Sequence, residues 1–235
     1  MKPWPMPEER AAFWNHSILK WEKNRYFTPA FYNIFSRLNY LTKNSLRSRR
    51  KLCLDFLYPN IKNCKILELG AGAGHLASLL IKNGATSYMG VDFSSSAINE
   101  AKNLYGHLPG VDFECKNVAE LLPQEFQYNV IFSLGLIDWS SEDELNNILM
   151  LSKGKLFLHS FSQKSDNITR IIHRYFSKVN YQNGYRPKYF SCDEILAKCS
   201  SIPLPSVYVY CNPKLSFGAF LTNIRPSLIN KLISG

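Results

Sequence analysis

Hydrophobic residues in this chain fall into two regimes. Over residues 1–60 they recur at helical spacing and show no strand-like alternation. Trp14, Ile18 and Trp21 form one stripe, and Phe31, Ile34, Phe35 and Leu38 form another. Residues 47–57 continue as a helix that stops near Pro59. After residue 60 short apolar runs alternate with amphipathic stretches. The runs 65–69, 88–92, 111–116, 128–133 and 155–161 predict strands. Helices are predicted over 72–83, closed by Gly84, from a cap at Ser94 or Ser95, briefly from Val118, and over 141–151.

The alternation breaks at the end. A helix is predicted near 166–176, followed by a polar, tyrosine-rich stretch. A second helix over 191–199 opens on Ser191 and Glu194, spaced as a capping box. Residues 207–211 and 217–224 then read as two strands joined around Asn212-Pro213-Lys214, a connection short enough to require antiparallel pairing. The expected fold is α/β: a seven-stranded, mostly parallel, doubly wound sheet with a C-terminal antiparallel hairpin and an N-terminal helical cap. The expected division is a cap or lid over residues 1–60 and a ligand-binding domain over 61–235, with a substrate-side insert at about 165–190.

Charge refines this division. The net charge of +10 is unevenly spread. Residues 1–51 hold eleven basic and three acidic residues (+8), 52–160 hold seven and twelve (−5), and 161–235 hold ten and three (+7). Basic flanks around an acidic centre suit an anionic ligand or a solvated surface, rather than uniform nucleic-acid affinity. No apolar run approaches the roughly 18–20 residues of a membrane span, and the N-terminus lacks a secretory apolar region. The six cysteines form no Cys-x-x-Cys pair, which fits reduced thiols and a cytoplasmic location.

The most informative stretch is Glu68-Leu69-Gly70-Ala71-Gly72-Ala73-Gly74, a strand end turning into a helix. Glycines let a ligand approach the backbone, and a helix start offers free N–H groups. A dinucleotide site needs Gly-x-Gly-x-x-Gly. Counted from Gly70 the last position is His75; counted from Gly72 it is Ala77, but that frame starts away from the strand. A carboxylate at Glu68 repels a pyrophosphate, whereas it suits the ammonium and sulfonium of S-adenosylmethionine (SAM). Asp92, ending the second strand, can accept from ribose hydroxyls or cap the next helix. Asn117 and Val118, after the third, can meet an adenine, or Asn117 can cap a short helix.

These residues resemble the motifs of class I SAM-dependent methyltransferases. Residues 65–74 are similar to motif I, Val91-Asp92-Phe93-Ser94 to the ribose motif, 113–118 to the adenine motif, and 126–135 to the motif around the fourth strand. Asn117 stands where Asp is commoner. The resemblance implies SAM as cofactor, with Glu68, Gly70, Ala71, Gly72, Gly74, Asp92, Phe93, Ser94, Asn117, Val118, Ser133 and Leu134 around it. Arg49 or Arg50 would face its carboxylate, and Arg50 is taken into the set. No metal is implied. Ser133-Leu134-Gly135-Leu136 with Asp138-Trp139 is loosely similar to the small-molecule branch, including ubiquinone-type and magnesium-protoporphyrin-type O-methyltransferases, and no Asn/Asp-Pro-Pro-Tyr signature is present.

Methyl transfer from a sulfonium is a direct displacement that positioning can accelerate without a dedicated base. Asp138 and His159 are the candidate catalytic residues. Asp138 has a rival role in a turn, and His159 as a hydrogen-bonded core histidine on a strand. Trp21, Tyr26, Arg170, Arg174, Tyr181, Tyr185, Arg186 and Tyr189 are the candidate substrate contacts, since arginine with tyrosine suits an anionic or hydroxylated acceptor. Trp14, His16 and Phe27 belong to the same prospective lid, with packing against the sheet as the other role for Trp14 and Trp21. The expected reaction is methylation of an oxygen or nitrogen of a small metabolite. The alternatives are an RNA or protein methyltransferase docking through its basic flanks, and a protein keeping SAM as a regulatory ligand.

Overall fold

The computed structural model describes residues 5–22, 49–164, 185–204, 206–211 and 218–225 of the 235-residue chain. Seven strands form one sheet: β1 (Lys65–Leu69), β2 (Ser87–Asp92), β3 (Val111–Cys115), β4 (Val130–Leu134), β5 (Leu156–Ser162), β6 (Tyr208–Cys211) and β7 (Gly218–Thr222). Their order is β3-β2-β1-β4-β5-β7-β6. The first five pair in parallel, while β7 lies antiparallel between β5 and β6. The strand order reverses between β1 and β4, the topological switch point at which open α/β sheets bind ligands.

The helices are α1 (Pro7–Glu22), α2 (helical over 49–57), α3 (Ala77–Lys82), α4 (Ser95–Tyr105), α5 (Glu142–Leu151) and α6 (Cys192–Ser200). Alternate residues of each strand feed two cores, because side chains on a strand point to opposite faces. Ile66, Phe132, Leu158 and Phe220 pack with Phe56 of α2, Leu80 of α3 and Ile98 of α4. Leu67, Ile131, Phe157 and Leu221 pack with Leu145 and Leu149 of α5 and Ile195 of α6. The doubly wound expectation therefore holds, including the antiparallel hairpin.

One boundary differs. The glycine turn was expected to open a helix at 72, but α3 begins at Ala77. Gly70, Gly72 and Gly74 all adopt positive φ, which a right-handed helix cannot contain, so the chain turns through His75 first. Elsewhere the caps are those read from sequence. Ser94 accepts from the Ala97 N–H, and Ser141/Glu144 and Ser191/Glu194 form complete capping boxes. The predicted helix near 166–176 lies outside the described residues.

α1 crosses the carboxyl ends of the strands and is held at three points. Arg10 Nη1 donates to Glu144 at 2.6 Å, joining α1 to the start of α5. Asn15 accepts from Ser94 Oγ and from the Ser96 N–H and Oγ at the start of α4. Glu22 accepts from the Ala73 N–H of the glycine turn at 3.3–3.4 Å. Among the described residues no helix is long and apolar enough to cross a membrane.

Candidate functional site

One cavity opens at the switch point, walled by the glycine turn, the ends of β2 and β4, the 116–118 loop, the 185–189 segment and α1. Its floor is acidic. Glu68 lies one residue before the end of β1, and its Oε2 accepts from the Tyr88 hydroxyl at 2.5 Å. Burial pushes the Glu68 carboxyl up to about 8, with Glu22 and Asp92 adding repulsion and the Tyr88 hydrogen bond and Arg50 opposing. Asp92 accepts from the Gly72 N–H and the Ser94 N–H, both at 2.9 Å. Burial lifts its carboxyl to about 6 against these backbone hydrogen bonds.

Gly72 has to be glycine twice over. Its φ is +54°, and a Cβ there would collide with the Glu22 carboxylate. Glu22 also lies 3.5 Å from His75 Nε2. Three carboxylates thus surround a stretch of bare backbone. Arg50 approaches from α2, donating to the His75 carbonyl at 3.2 Å.

At the other end the cavity is aromatic. Trp14, Trp139 and Tyr185 pack mutually, with Trp14 and Trp139 edge-to-face at 5.1 Å. Trp14 Nε1 donates to the Tyr185 hydroxyl, which donates to the Trp139 carbonyl, each at 3.2 Å. Asp138 lies on this wall. It accepts from the Ser162 N–H at 2.5 Å and hydroxyl at 2.7 Å, with Arg49 Nη1 3.7 Å away. Burial raises the Asp138 carboxyl, and Arg49 and Ser162 oppose the rise. Arg49 reaches this place by passing over Gly218 of β7, where any Cβ would strike its Nε.

Most expected cofactor residues converge. Arg50, Glu68, Gly70, Ala71, Gly72, Asp92, Phe93, Asn117, Val118 and Leu134 all line the cavity. Gly74, Ser94 and Ser133 stand behind its wall instead. Gly74 packs against Phe113, Ser94 caps α4, and Ser133 Oγ bonds His159. Asn117 also caps, accepting from the Ala119 N–H at 3.0 Å.

His159 is corrected from catalytic base to core residue. The two-residue period of β5 aims it at the face covered by α5. There it is 0% exposed, stacks on Phe157, and bonds Ser133 Oγ through Nδ1 and Ser152 Oγ through Nε2. Burial drives its pKa down to about 3, and it does not line the cavity. Among the expected substrate contacts Tyr185 and Tyr189 line the cavity, while Arg186 is exposed outside it. Tyr26, Arg170, Arg174 and Tyr181, and the side chain of Trp21, lie outside the described residues.

The sequence reading missed the inner stripe of α1. Arg10, Trp14, Ile18 and Glu22 fall four residues apart and all line the cavity. That spacing was visible, but only two of the four are apolar, so an apolar pattern picked out Trp14 and Ile18 alone.

Residues 66–152 match the family described as methyltransferase domain. The sequence matches no curated protein. The fold resembles magnesium protoporphyrin IX methyltransferase from Synechocystis PCC 6803 with bound S-adenosylhomocysteine, at 13% identity and a TM-score of 0.67, covering 92% of this chain and 98% of that one. It resembles the DhpI–S-adenosylhomocysteine complex at 14% identity and a TM-score of 0.62, covering 92% and 94%. It also resembles a methyltransferase in complex with the Haloferax volcanii Trm112 activator, at 14% identity and a TM-score of 0.58, covering 86% and 77%.

Proposed function

We propose, from the fold and the methyltransferase-domain match over residues 66–152, that the chain is a class I SAM-dependent methyltransferase and that it methylates an oxygen or nitrogen of a small, anionic or polyhydroxylated metabolite. The observation that carries the reading is the grouping of Glu22, Glu68 and Asp92 around the Gly72 backbone. This donor set fits SAM: carboxylates for an ammonium and for ribose hydroxyls, and glycine backbone for close approach. It does not fit a pyrophosphate.

SAM, when bound, supplies an electrophilic sulfonium methyl. The chain's own residues do the rest. Glu22 and Glu68 would hold the ammonium, and Arg50 would face the carboxylate. Asp92 would accept from the ribose hydroxyls through lone pairs its two backbone hydrogen bonds leave available. Asn117 and Val118 would meet the adenine. α1 covers the cavity and excludes water, which strengthens each electrostatic contact beneath it.

The acceptor end supports a small substrate. Trp14, Trp139, Tyr185 and Tyr189 enclose it, α1 crosses its mouth, and the Arg10 and Arg49 guanidiniums line it beside Glu144 and Asp138. Such an enclosure favours a compact small molecule over an RNA strand, which would need an open groove. Asp138 is a carboxylate on this wall able to hold an acceptor proton. Calorimetric titration with SAM and with NADH tests the reading. SAM binding without NADH binding is expected; the reverse sinks it. Methylation of candidate acids by radiolabelled SAM then separates the small-molecule reading from transfer to RNA.

A further inference from the structure

The geometry points to an oxidant-sensitive thiol pair, Cys192 and Cys211, that forms a disulfide and clamps the acceptor wall of the cavity. The two Sγ atoms lie 3.6 Å apart, and both residues reach the surface. They come from elements far apart in function. Cys192 is the first residue of α6, directly after the 185–190 segment that carries Tyr185, Pro187 and Tyr189 into the cavity wall. Cys211 is the last residue of β6, the edge strand of the sheet.

The two thiols differ in access, which sets an order. Cys211 is exposed, whereas Cys192 is half-buried and accepts from Gln163 Nε2 at 3.4 Å. With a small-molecule disulfide RSSR as oxidant, the Cys211 thiolate attacks one sulfur. A Cys211–S–R bond forms, and RS⁻ leaves and takes the proton that Cys211 gave up. The Cys192 thiolate then attacks Cys211 Sγ, forming the Cys192–Cys211 bond and expelling the second RS⁻, which takes the Cys192 proton. Two protein thiols are oxidised and one RSSR is reduced to two RSH.

The bond joins the wall segment to the sheet. Its C-terminal end is already tied through the Lys188 N–H to the Asp138 carbonyl at 2.7 Å and the Phe190 N–H to the Ser162 carbonyl at 3.0 Å. A covalent link one residue past Ser191 removes the remaining freedom of that end. Cys53 and Cys199 are buried, and Cys64 and Cys115 turn their Sγ atoms to the Asn60 and Phe93 carbonyls, so each of these four thiols is directed away from the pair.

The test uses the reduced full chain incubated with glutathione disulfide. The expected product is about 2 Da lighter, with the six cysteine thiols lowered by two and a 192–211 cross-link in a non-reducing peptide map. The Cys192→Ser variant should stop at a glutathione adduct on Cys211, and Cys211→Ser should form no cross-link. Amide exchange over 185–190 should slow several-fold in the oxidised chain. Six thiols surviving the incubation, or a stable glutathione adduct on Cys211 of the unmutated chain, overturns the pair. A cross-link that leaves exchange over 185–190 unchanged overturns the clamp.

Discussion

The Glu22 carboxylate stands directly over the Cα of Gly72, close enough that any side chain at 72 would collide with it. The last residue of α1 therefore completes a turn that lies fifty residues further along the chain. Glu22→Gln should weaken SAM binding about tenfold, the scale of one charge-assisted hydrogen bond. It should leave 5′-methylthioadenosine, which lacks the amino-acid moiety, bound as before. Tighter SAM binding to the variant would instead identify Glu22 as a plug that the ligand must displace.

Glu68 gives the site a pH dependence. Its carboxyl titrates at about 8 in the folded chain against 4.5 for an ordinary glutamate, so the folded state holds the proton more tightly. This group's contribution to stability is full below 4.5 and is lost as pH rises toward 8. A cationic ligand favours the ionised form, so its binding expels that proton. SAM affinity should rise with pH by up to about tenfold per unit between about pH 6 and 7.5. In Glu68→Gln the affinity should be lower and the slope flat; an unchanged slope would assign it to another group.

Strand periods, caps and the glycine motif were enough to read the sheet and its closing hairpin, and the family resemblance carried by these motifs supplied ten of the cavity's residues, because each motif leaves a local mark in the chain. Which face a strand residue takes is harder to read in a doubly wound sheet, where both faces are apolar. His159 and Ser133 were assigned to the site when their side chains point under α5. The lid stripe escaped for a different reason: Arg10 and Glu22 answer to partners 134 and 51 residues away, Glu144 and Ala73.

Asp138 is buried, yet it touches the acceptor end. Asp138→Asn keeps the size of the side chain and the hydrogen bond that Oδ1 accepts from the Ser162 N–H, while the amide nitrogen now donates to the Ser162 hydroxyl. Turnover should fall about 100-fold, the scale of a lost general base, with SAM affinity changed less than about twofold. A parallel loss of SAM binding and thermal stability would reduce Asp138 to a latch on Ser162.

His159 should affect folding alone. Replacing it with Phe leaves Ser133 and Ser152 without their partner, costing about 1–3 kcal/mol of stability with SAM affinity retained in the folded fraction. Its pKa of about 3, against 6.5 for an ordinary histidine, means it stays neutral across pH 5–8 and leaves no inflection in a rate profile there. The stability it contributes is full above 6.5 and declines as pH falls toward 3, which acid unfolding of the unmutated and variant chains would resolve.

The four-residue spacing of Arg10, Trp14, Ile18 and Glu22 makes α1 a component with a register. Each residue of a helix turns about 100° from the last. One residue inserted between Trp14 and Ile18 would leave the first half of α1 seated on Glu144 and rotate the second half away, taking Glu22 off the glycine turn. Substitutions along the outer face are free to accumulate, but insertions and deletions within α1 are not. Length, more than composition, is what this helix must preserve.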